Sequence, residues 1–500
     1  MIRILFVHAV VVVAWLGAQG PPQVAVGTDF TLLRKPTGEV LAFGGNWNGQ
    51  LGLGDNATRL SPTLVPALQG ASMLDAGLAH ALMLLPDGTV KSWGNNNFGQ
   101  LGRPSGSSGI PTQIPGLTGV VAVACGRDFS LALAVNSGVT KVYGWGYNGG
   151  ALGLGTLLPA NAPTEITSLQ GAAPVIAMAA GRFTTYFLKA DGTVWACGSN
   201  LSGQLGQGNV IMSSTPVQVP IPAFITSMAA GDFHAFALDN AGNAWCWGQN
   251  TNYALGTGTN TNVLSPMLHP SLSGVSAVAA GQVHTLAMLQ DGTVKCMGGG
   301  SSVQLGTGAT TNRMTPDNVT AITACQAVFA GAEQSFIIQN NGAVMAFGKN
   351  TYGQLGNGAS GTPVLTPTSI LALCNQGPAL ALALAPAGSN HVIMTLSCNG
   401  TVGATPLGYF NAFSINPSNV SAPGTGWWHG LHIDASEITE WVTLASAGEP
   451  FCFGPMASWG AAATFPVAPS ALSGITIHGV SVLINSGGVV ESSPVMSRTF

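Results

Sequence analysis

Trp93-Gly94-Asn95-Asn96-Asn97-Phe98-Gly99-Gln100-Leu101-Gly102 is the stretch that decides the fold, because versions of it return along the chain at a nearly constant interval. The aromatic-glycine step at its start has counterparts at Phe43-Gly44, Trp145-Gly146, Cys197-Gly198, Trp247-Gly248, Met297-Gly298 and Phe347-Gly348. Successive glycines of this step lie 50, 52, 52, 50, 50 and 50 residues apart. Two further columns keep the same phase. An early glycine falls at Gly27, Gly77, Gly126, Gly181, Gly231, Gly281 and Gly331, and a turn glycine at Gly38, Gly88, Gly138, Gly192, Gly242, Gly292 and Gly342. Three columns in step define seven copies of one unit, the signature of a repeat architecture.

Within the second copy, Ser72 to Ala76, Ala81 to Leu85 and Thr89 to Trp93 read as short strands. Pro86-Asp87-Gly88 is a hairpin turn in which glycine supplies the positive φ. Pro62 to Val65, just upstream, reads as a fourth, outer strand of the same unit. About 50 residues and four strands make a propeller blade. The expected fold is therefore all-β, a seven-bladed β-propeller. The first copy starts at Val24 without such an upstream strand, and Thr366-Pro367-Thr368-Ser369-Ile370 follows the last copy. Residues 366–371 are thus expected to complete blade one, pairing near Leu41 and leaving no open blade edge.

The strings Trp93-Gly94-x-Asn96-x-x-Gly99-Gln100-Leu101-Gly102 and Ala229-Ala230-Gly231-x-x-His234 resemble the repeat of the regulator-of-chromosome-condensation family. Gly49-Gln50-Leu51-Gly52, Gly203-Gln204-Leu205-Gly206 and Gly353-Gln354-Leu355-Gly356 share the likeness, which runs over about residues 22 to 371. The resemblance implies a seven-bladed ring that presents one face to a protein partner.

Around this ring the sequence predicts two further parts. Arg3 followed by the apolar run Ile4 to Leu16 and the small residue Ala18 has the layout of a secretory signal, residues 1–18, cleaved after Ala18. The propeller then occupies 19–374. From Asn375 the period stops, and short apolar runs between glycines and prolines suggest a C-terminal β-sandwich over 375–500. Its strand candidates begin with Leu380–Ala385, His391–Ser397 and Gly408–Ile415, and Ala435–Trp441 is the one short helical stretch. The closing pattern from Phe465 to Gly474 resembles C-terminal modules of exported bacterial proteins. The expected setting is accordingly secreted, periplasmic or cell-surface, in a bacterium, with no stable membrane insertion after signal cleavage.

Charged residues are 6% of the chain, against about 25% in an ordinary soluble domain. With 14 Lys and Arg and a net charge of -4, no basic stripe is available for phosphates, so nucleic acid is not an expected partner. The eight cysteines form no CxxC pair. Cys197, Cys246 and Cys296 share a repeat position and read as buried small hydrophobes, whereas Cys398 with Cys374 or Cys452 is the candidate disulfide. His429-x-x-His432-x-Asp434 is the densest ligand cluster, yet on a regular strand His429 would face away from the other two. No metal and no cofactor are expected.

His80, His234 and His284 occupy one column and read as hydrogen bonders that stabilise the blades. Asp87, Asp191 and Asp291 are turn residues. Asp29, Asp128 and Asp232 follow the early glycine and are placed at one mouth of the ring. Neither a G-x-S-x-G elbow, an HExxH helix nor a phosphate-binding loop is found. The candidate binding residues are the aromatics of the blade loops, Trp47, Phe98, Tyr147, Tyr253 and Tyr352, on loops that a closed ring gathers on one face. The sequence therefore predicts an exported, monomeric binding protein that presents this face to a protein or cell-surface macromolecule. A secreted hydrolase or lyase with its site at the central channel is the alternative. Guanine-nucleotide exchange, implied by the family's name, ranks last, because an exported chain without a basic arm fits it poorly.

Overall fold

In the computed structural model, residues 21–171, 173–322 and 324–373 are described, followed by nine strand segments between 379 and 499. The chain divides into two compact units, the first ending at Leu373 and the second running from Cys374 to Phe500. The first unit holds seven four-stranded antiparallel sheets, each a simple meander. In blade two, Met73–Ala76, His80–Leu84, Val90–Gly94 and Ser108–Gln113 follow one another in the sheet.

The sequence dictates this layering. The first three strands of a blade are short, apolar and rich in alanine or β-branched residues, and they are buried: Phe30–Arg34 and Val40–Gly44 have every residue inside. The fourth strand is polar and proline-bearing, such as Arg59–Leu64, and lies at the partly exposed rim. Proline is tolerated at such an edge because its missing N–H leaves no gap in an inner ladder. Cores form between blades rather than within them. One cluster unites Phe30, Leu32 and Leu51 of blade one with Leu74, Met83 and Trp93 of blade two. The aromatic of each aromatic-glycine step is one of these wedges. The glycine behind it adopts φ near +100°, and a Cβ at Gly94 would lie 2.4 Å from the Ala79 carbonyl oxygen. Only glycine reconciles that backbone with so close an approach.

The expected completion of blade one by residues 366–371 is overturned. Leu41 pairs with Leu64 and Gly44 with Arg59, so blade one carries its own outer strand. Val364–Ala372 instead pairs with Ala343–Gly348, with Thr368 opposite Ala346 and Val364 opposite Gly348. Pro62 to Val65 likewise belongs to the blade before it, not after it. The reason is local: the glycine-rich loop folds back on itself, and the chain returns beside the strand it has just left.

The ring is consequently closed by contacts between complete blades, including the Gly358 amide donating to the Leu60 carbonyl at 2.9 Å, without strand exchange. Thr31 Oγ1 donates to the Gln354 carbonyl at 2.8 Å, and Gln334 Nε2 donates to the carbonyls of Gly27 and Thr28 at 2.8 and 3.1 Å. Phe43 and Phe336 meet edge to face at 6.3 Å, inside a cluster with Val24, Leu33, Ile338 and Leu355. A chain ended after Gly358 therefore loses the outer strand of blade seven. Hydrogen exchange is expected to accelerate at the amides of Ala343–Gly348 and to stay slow at Val40–Gly44. The reverse order would restore strand exchange as the closure.

In the second unit, Ala379–Leu384, Val392–Ser397 and Phe410–Ile415 form a three-stranded antiparallel sheet. These strands coincide with the first three expected there. Assembly into a sandwich, the stretch 435–441, the His429–Asp434 cluster, the candidate disulfide and the signal segment 1–18 all lie outside the described residues.

Candidate functional site

In blades one, two, four and seven the loop after the third strand is built around two side chains. In blade one, Asn46 Nδ2 donates to the carbonyls of Asp55 and Ala57, while its Oδ1 accepts the Leu51 amide. Gln50 Oε1 accepts the Asn48 amide at 2.9 Å. The same bonds recur at Asn96 with Gln100, Asn200 with Gln204 and Asn350 with Gln354. Asparagine and glutamine thus do the work that a helix or a ladder does elsewhere, which explains how so uncharged a loop is fixed.

Each loop is also tied to its neighbour. Trp93 Nε1 donates to the Gln50 carbonyl at 2.9 Å, Trp145 to Gln100 at 2.9 Å, and Trp247 to Gln204 at 2.8 Å. Ser130, Thr285 and Ser335 hydroxyls donate to the corresponding carbonyls of Gln100, Ala254 and Gln304, at 2.8 Å in each case. The histidine column completes the relay. His80 Nε2 lies 3.0 Å from Ser130 Oγ, His234 Nε2 2.9 Å from Thr285 Oγ1, and His284 Nε2 2.9 Å from Ser335 Oγ. These imidazoles join consecutive blades, as their repetition implies. Burial holds their pKa values at about 4, 4 and 3, so they are neutral at physiological pH. Cys197, Cys246 and Cys296 are free, buried thiols in the inter-blade layers, and burial pushes the thiols of Cys246 and Cys296 up to about 12. They are packing groups without thiolate character.

The loops open on one face, together with the turns between first and second strands. The Gly45 amide donates to the Asp29 carbonyl, Tyr147 to Asp128, Ser199 to Phe183, and Gln249 to Phe233. On this face Trp47 and Tyr352 meet edge to face with ring centroids 4.5 Å apart, across the junction of blades one and seven. Phe98 and Tyr147 meet in the same manner at 5.4 Å across blades two and three. Trp47, Phe98 and Tyr352 are 49, 43 and 37% exposed, and Tyr147 is half-buried. The five aromatics occupy different loop positions. Tyr253 takes the place that Gly49, Gly99 and Gly203 fill in other blades, with φ +63°, and is half-buried.

The mouth of the ring holds the charged residues of this face. Lys349 Nζ lies 2.8 Å from Glu333 and 3.9 Å from Asp29, and Ser302 Oγ donates to Glu333 at 2.9 Å. On the opposite arc Arg127 lies against Asp128 and Arg182 against Asp232. Burial raises the pKa of Asp29, Asp128 and Asp232, partly offset by the neighbouring cations. Phe183 and Phe233 stand among the arginines: the Arg182 guanidinium lies 5.4 Å from the first ring and 5.6 Å from the second. Neither arginine nor phenylalanine was singled out by the sequence. The usable signal was the pair of positions after the early glycine, where Arg127, Arg182, Phe183 and Phe233 align with the three aspartates. Among the described residues no group of three or more His, Cys, Asp or Glu is placed to hold a metal ion.

A family described as the RCC1-like domain matches residues 141–405, and the regulator of chromosome condensation (RCC1) repeat matches residues 37–84 and 87–133. Against the E3 ubiquitin-protein ligase HERC2 of Mus musculus the chain is 34% identical over 196 residues, which is 37% of this chain and 4% of that protein. Against the ultraviolet-B receptor UVR8 of Arabidopsis thaliana it is 30% identical over 205 residues, 40% of this chain and 46% of that one. The chain thus spans less than half the length of these relatives. Among solved structures, Prp20p of Saccharomyces cerevisiae shares the fold with a TM-score of 0.61 and 22% identity, over 73% of this chain and 90% of its own. Human WBSCR16 gives 0.56 and 26%, over 63 and 85%.

Proposed function

The chain belongs to the RCC1-like propeller family, and from that premise we propose that it is an exported binding protein, bacterial in setting, that offers the loop face of its ring to a protein partner. The observation that carries this reading is the pair of partly exposed aromatic contacts, Trp47 with Tyr352 and Phe98 with Tyr147, each bridging two blades. A large ring already held by its neighbour loses little freedom when a partner covers it, which is the property that makes aromatics dominate binding energy. Related propellers support the reading: Prp20p has been characterised for binding to Gsp1p and histones, and the yeast protein has been solved bound to Kap60. Residues 1–18 would direct the chain to the secreted, periplasmic or cell-surface space where that partner resides.

The test is a double substitution, Trp47→Ala with Tyr352→Ala. Affinity for a partner captured by the full chain is expected to fall about thirtyfold or more, at about 2 kcal/mol or more for a central aromatic. The urea midpoint should stay close to that of the parent, since both rings already face solvent. An early unfolding midpoint with unchanged affinity would mean that these rings serve the fold alone.

A further inference from the structure

Resting on the protein-binding reading, we propose that the arc Phe98, Tyr147, Phe183 and Leu201, edged by Arg127 and Arg182, is the docking surface for a protein segment that sets an apolar side chain beside a carboxylate. The arc is continuous across two blade junctions. Phe98 lies 5.4 Å from Tyr147, and Tyr147 lies 5.8 Å from Phe183. The Phe183 carbonyl accepts the Ser199 amide at 2.9 Å, two residues before Leu201. Leu201 is 82% exposed. The outer loops behind this arc, residues 147–159 and 199–212, contain no charged residue at all. They also leave Leu158 and Ile211 in solvent. An occupant must therefore be apolar on this side.

The inner edge sets the charge. Both guanidiniums lie over the Phe183 ring, Arg127 at 5.6 Å and Arg182 at 5.4 Å from its centroid. A guanidinium stacked on a ring keeps its N–H edge free to fork a carboxylate. Their own acids do not occupy that edge well. Arg127 Nε is 3.2 Å from Asp128 but misaligned, and Arg182 approaches Asp232 only to 3.5 Å. Neither Nε proton has an aligned acceptor. Burial also raises the pKa of both aspartates, so their pairing with the arginines does not repay the loss of water around them. The two arginine side chains are 33 and 28% exposed, so a partner carboxylate would engage their outer Nη N–H groups, while the Nε atoms are enclosed. A lipid surface fits less well, because the outer loops offer no cation to hold a headgroup.

Random dodecapeptides displayed on phage and selected on the immobilised full chain provide the probe. Selected sequences are expected to carry Asp or Glu next to a large apolar residue. As synthetic peptides they should bind at least tenfold more tightly than their Asn or Gln counterparts, with the ratio shrinking as salt is added. Arg127→Gln with Arg182→Gln should bring the ratio to about one. The Arg→Lys pair, which keeps charge but loses the fork, should leave part of it and serves if the Gln variant does not fold. No enrichment, peptides without acids, a ratio that survives in the Arg variants, or pelleting with phosphatidylcholine–phosphatidylserine vesicles would each overturn the proposal. Peptides indifferent to the arginines but lost in the Trp47→Ala, Tyr352→Ala variant would sink this docking chemistry and leave the protein-binding reading standing. Peptides indifferent to both variants would remove both.

Discussion

Between pH 6.5 and pH 4 the ring is expected to lose several kcal/mol of stability. His80, His234 and His284 are neutral and fully buried between blades, with pKa values lowered by burial to about 4, 4 and 3. In the unfolded chain each titrates near 6.5. A folded pKa below the unfolded one means that the unfolded state takes up the proton first. The stability these groups contribute is therefore whole above pH 6.5 and is lost as pH falls toward 4. At 1.36 kcal/mol per unit, a shift from 6.5 to about 4 corresponds to about 3 kcal/mol for one imidazole. Asp29, Asp128 and Asp232 act in the opposite sense, since their raised pKa values favour protonation in the folded state. Urea midpoints measured at steps of pH give the check. The acid limb should flatten when the histidines are replaced by glutamine, the residue that Gln334 supplies in the same column of blade seven. A midpoint unchanged from pH 6.5 to 4.5 would contradict the inter-blade role of the column.

Trp145→Ala is expected to be the most damaging single substitution in the ring's middle, at about 3 to 5 kcal/mol for a fully buried aromatic. Trp145 is inaccessible to solvent and packs among Leu82, Val90, Ile114 and Val123, so its removal opens the layer between blades two and three. The lost hydrogen bond adds less. The Gln100 carbonyl that accepts the indole N–H also accepts the Ser130 hydroxyl, so it is not left bare. Trp145→Phe, which keeps most of the apolar volume, should cost about 1 to 2 kcal/mol. Equal costs for Phe and Ala would transfer the weight from packing to the hydrogen bond. Denaturant unfolding of the three proteins decides between them.

The glycine columns made blade number and strand order legible, because a backbone at φ near +100° against a neighbouring carbonyl admits no other residue and so marks the same point in every copy. The histidine and cysteine columns were legible for the same reason: a group repeated once per blade faces the same neighbour each time. Assignment of the outer strand was not. Segments such as Pro62 to Val65 sit midway between two inner triplets, with a polar pattern that suits either side. Bonds inside the preceding loop, made by Asn and Gln in blades one, two, four and seven, turn the chain back. Of the candidate site, the loop aromatics stood out because large rings amid glycine and asparagine have little to pack on locally. Arg127, Arg182 and Phe183 did not stand out. They follow the early glycine at positions that hold Thr28-Asp29 in one blade and Leu78-Ala79 in another. Arg127 reaches Phe183, and Arg182 reaches Phe233, from one blade to the next, and these contacts have no counterpart along the chain.

Completion of every sheet within one stretch of chain has a bearing on how such a ring can change over generations. A propeller latched by a borrowed strand has privileged ends, and removing or adding a repeat forces the latch to be rebuilt. Here any repeat boundary is equivalent to any other, since a cut there leaves only whole sheets on both sides. Copying or deleting one segment of about 50 residues leaves no half-finished sheet behind. The side-chain junction between first and last blades uses the same hydroxyl-to-carbonyl bond as the junctions within the chain. Selection can therefore trade blades, or move the chain's ends around the circle, while the loops on the open face diverge independently.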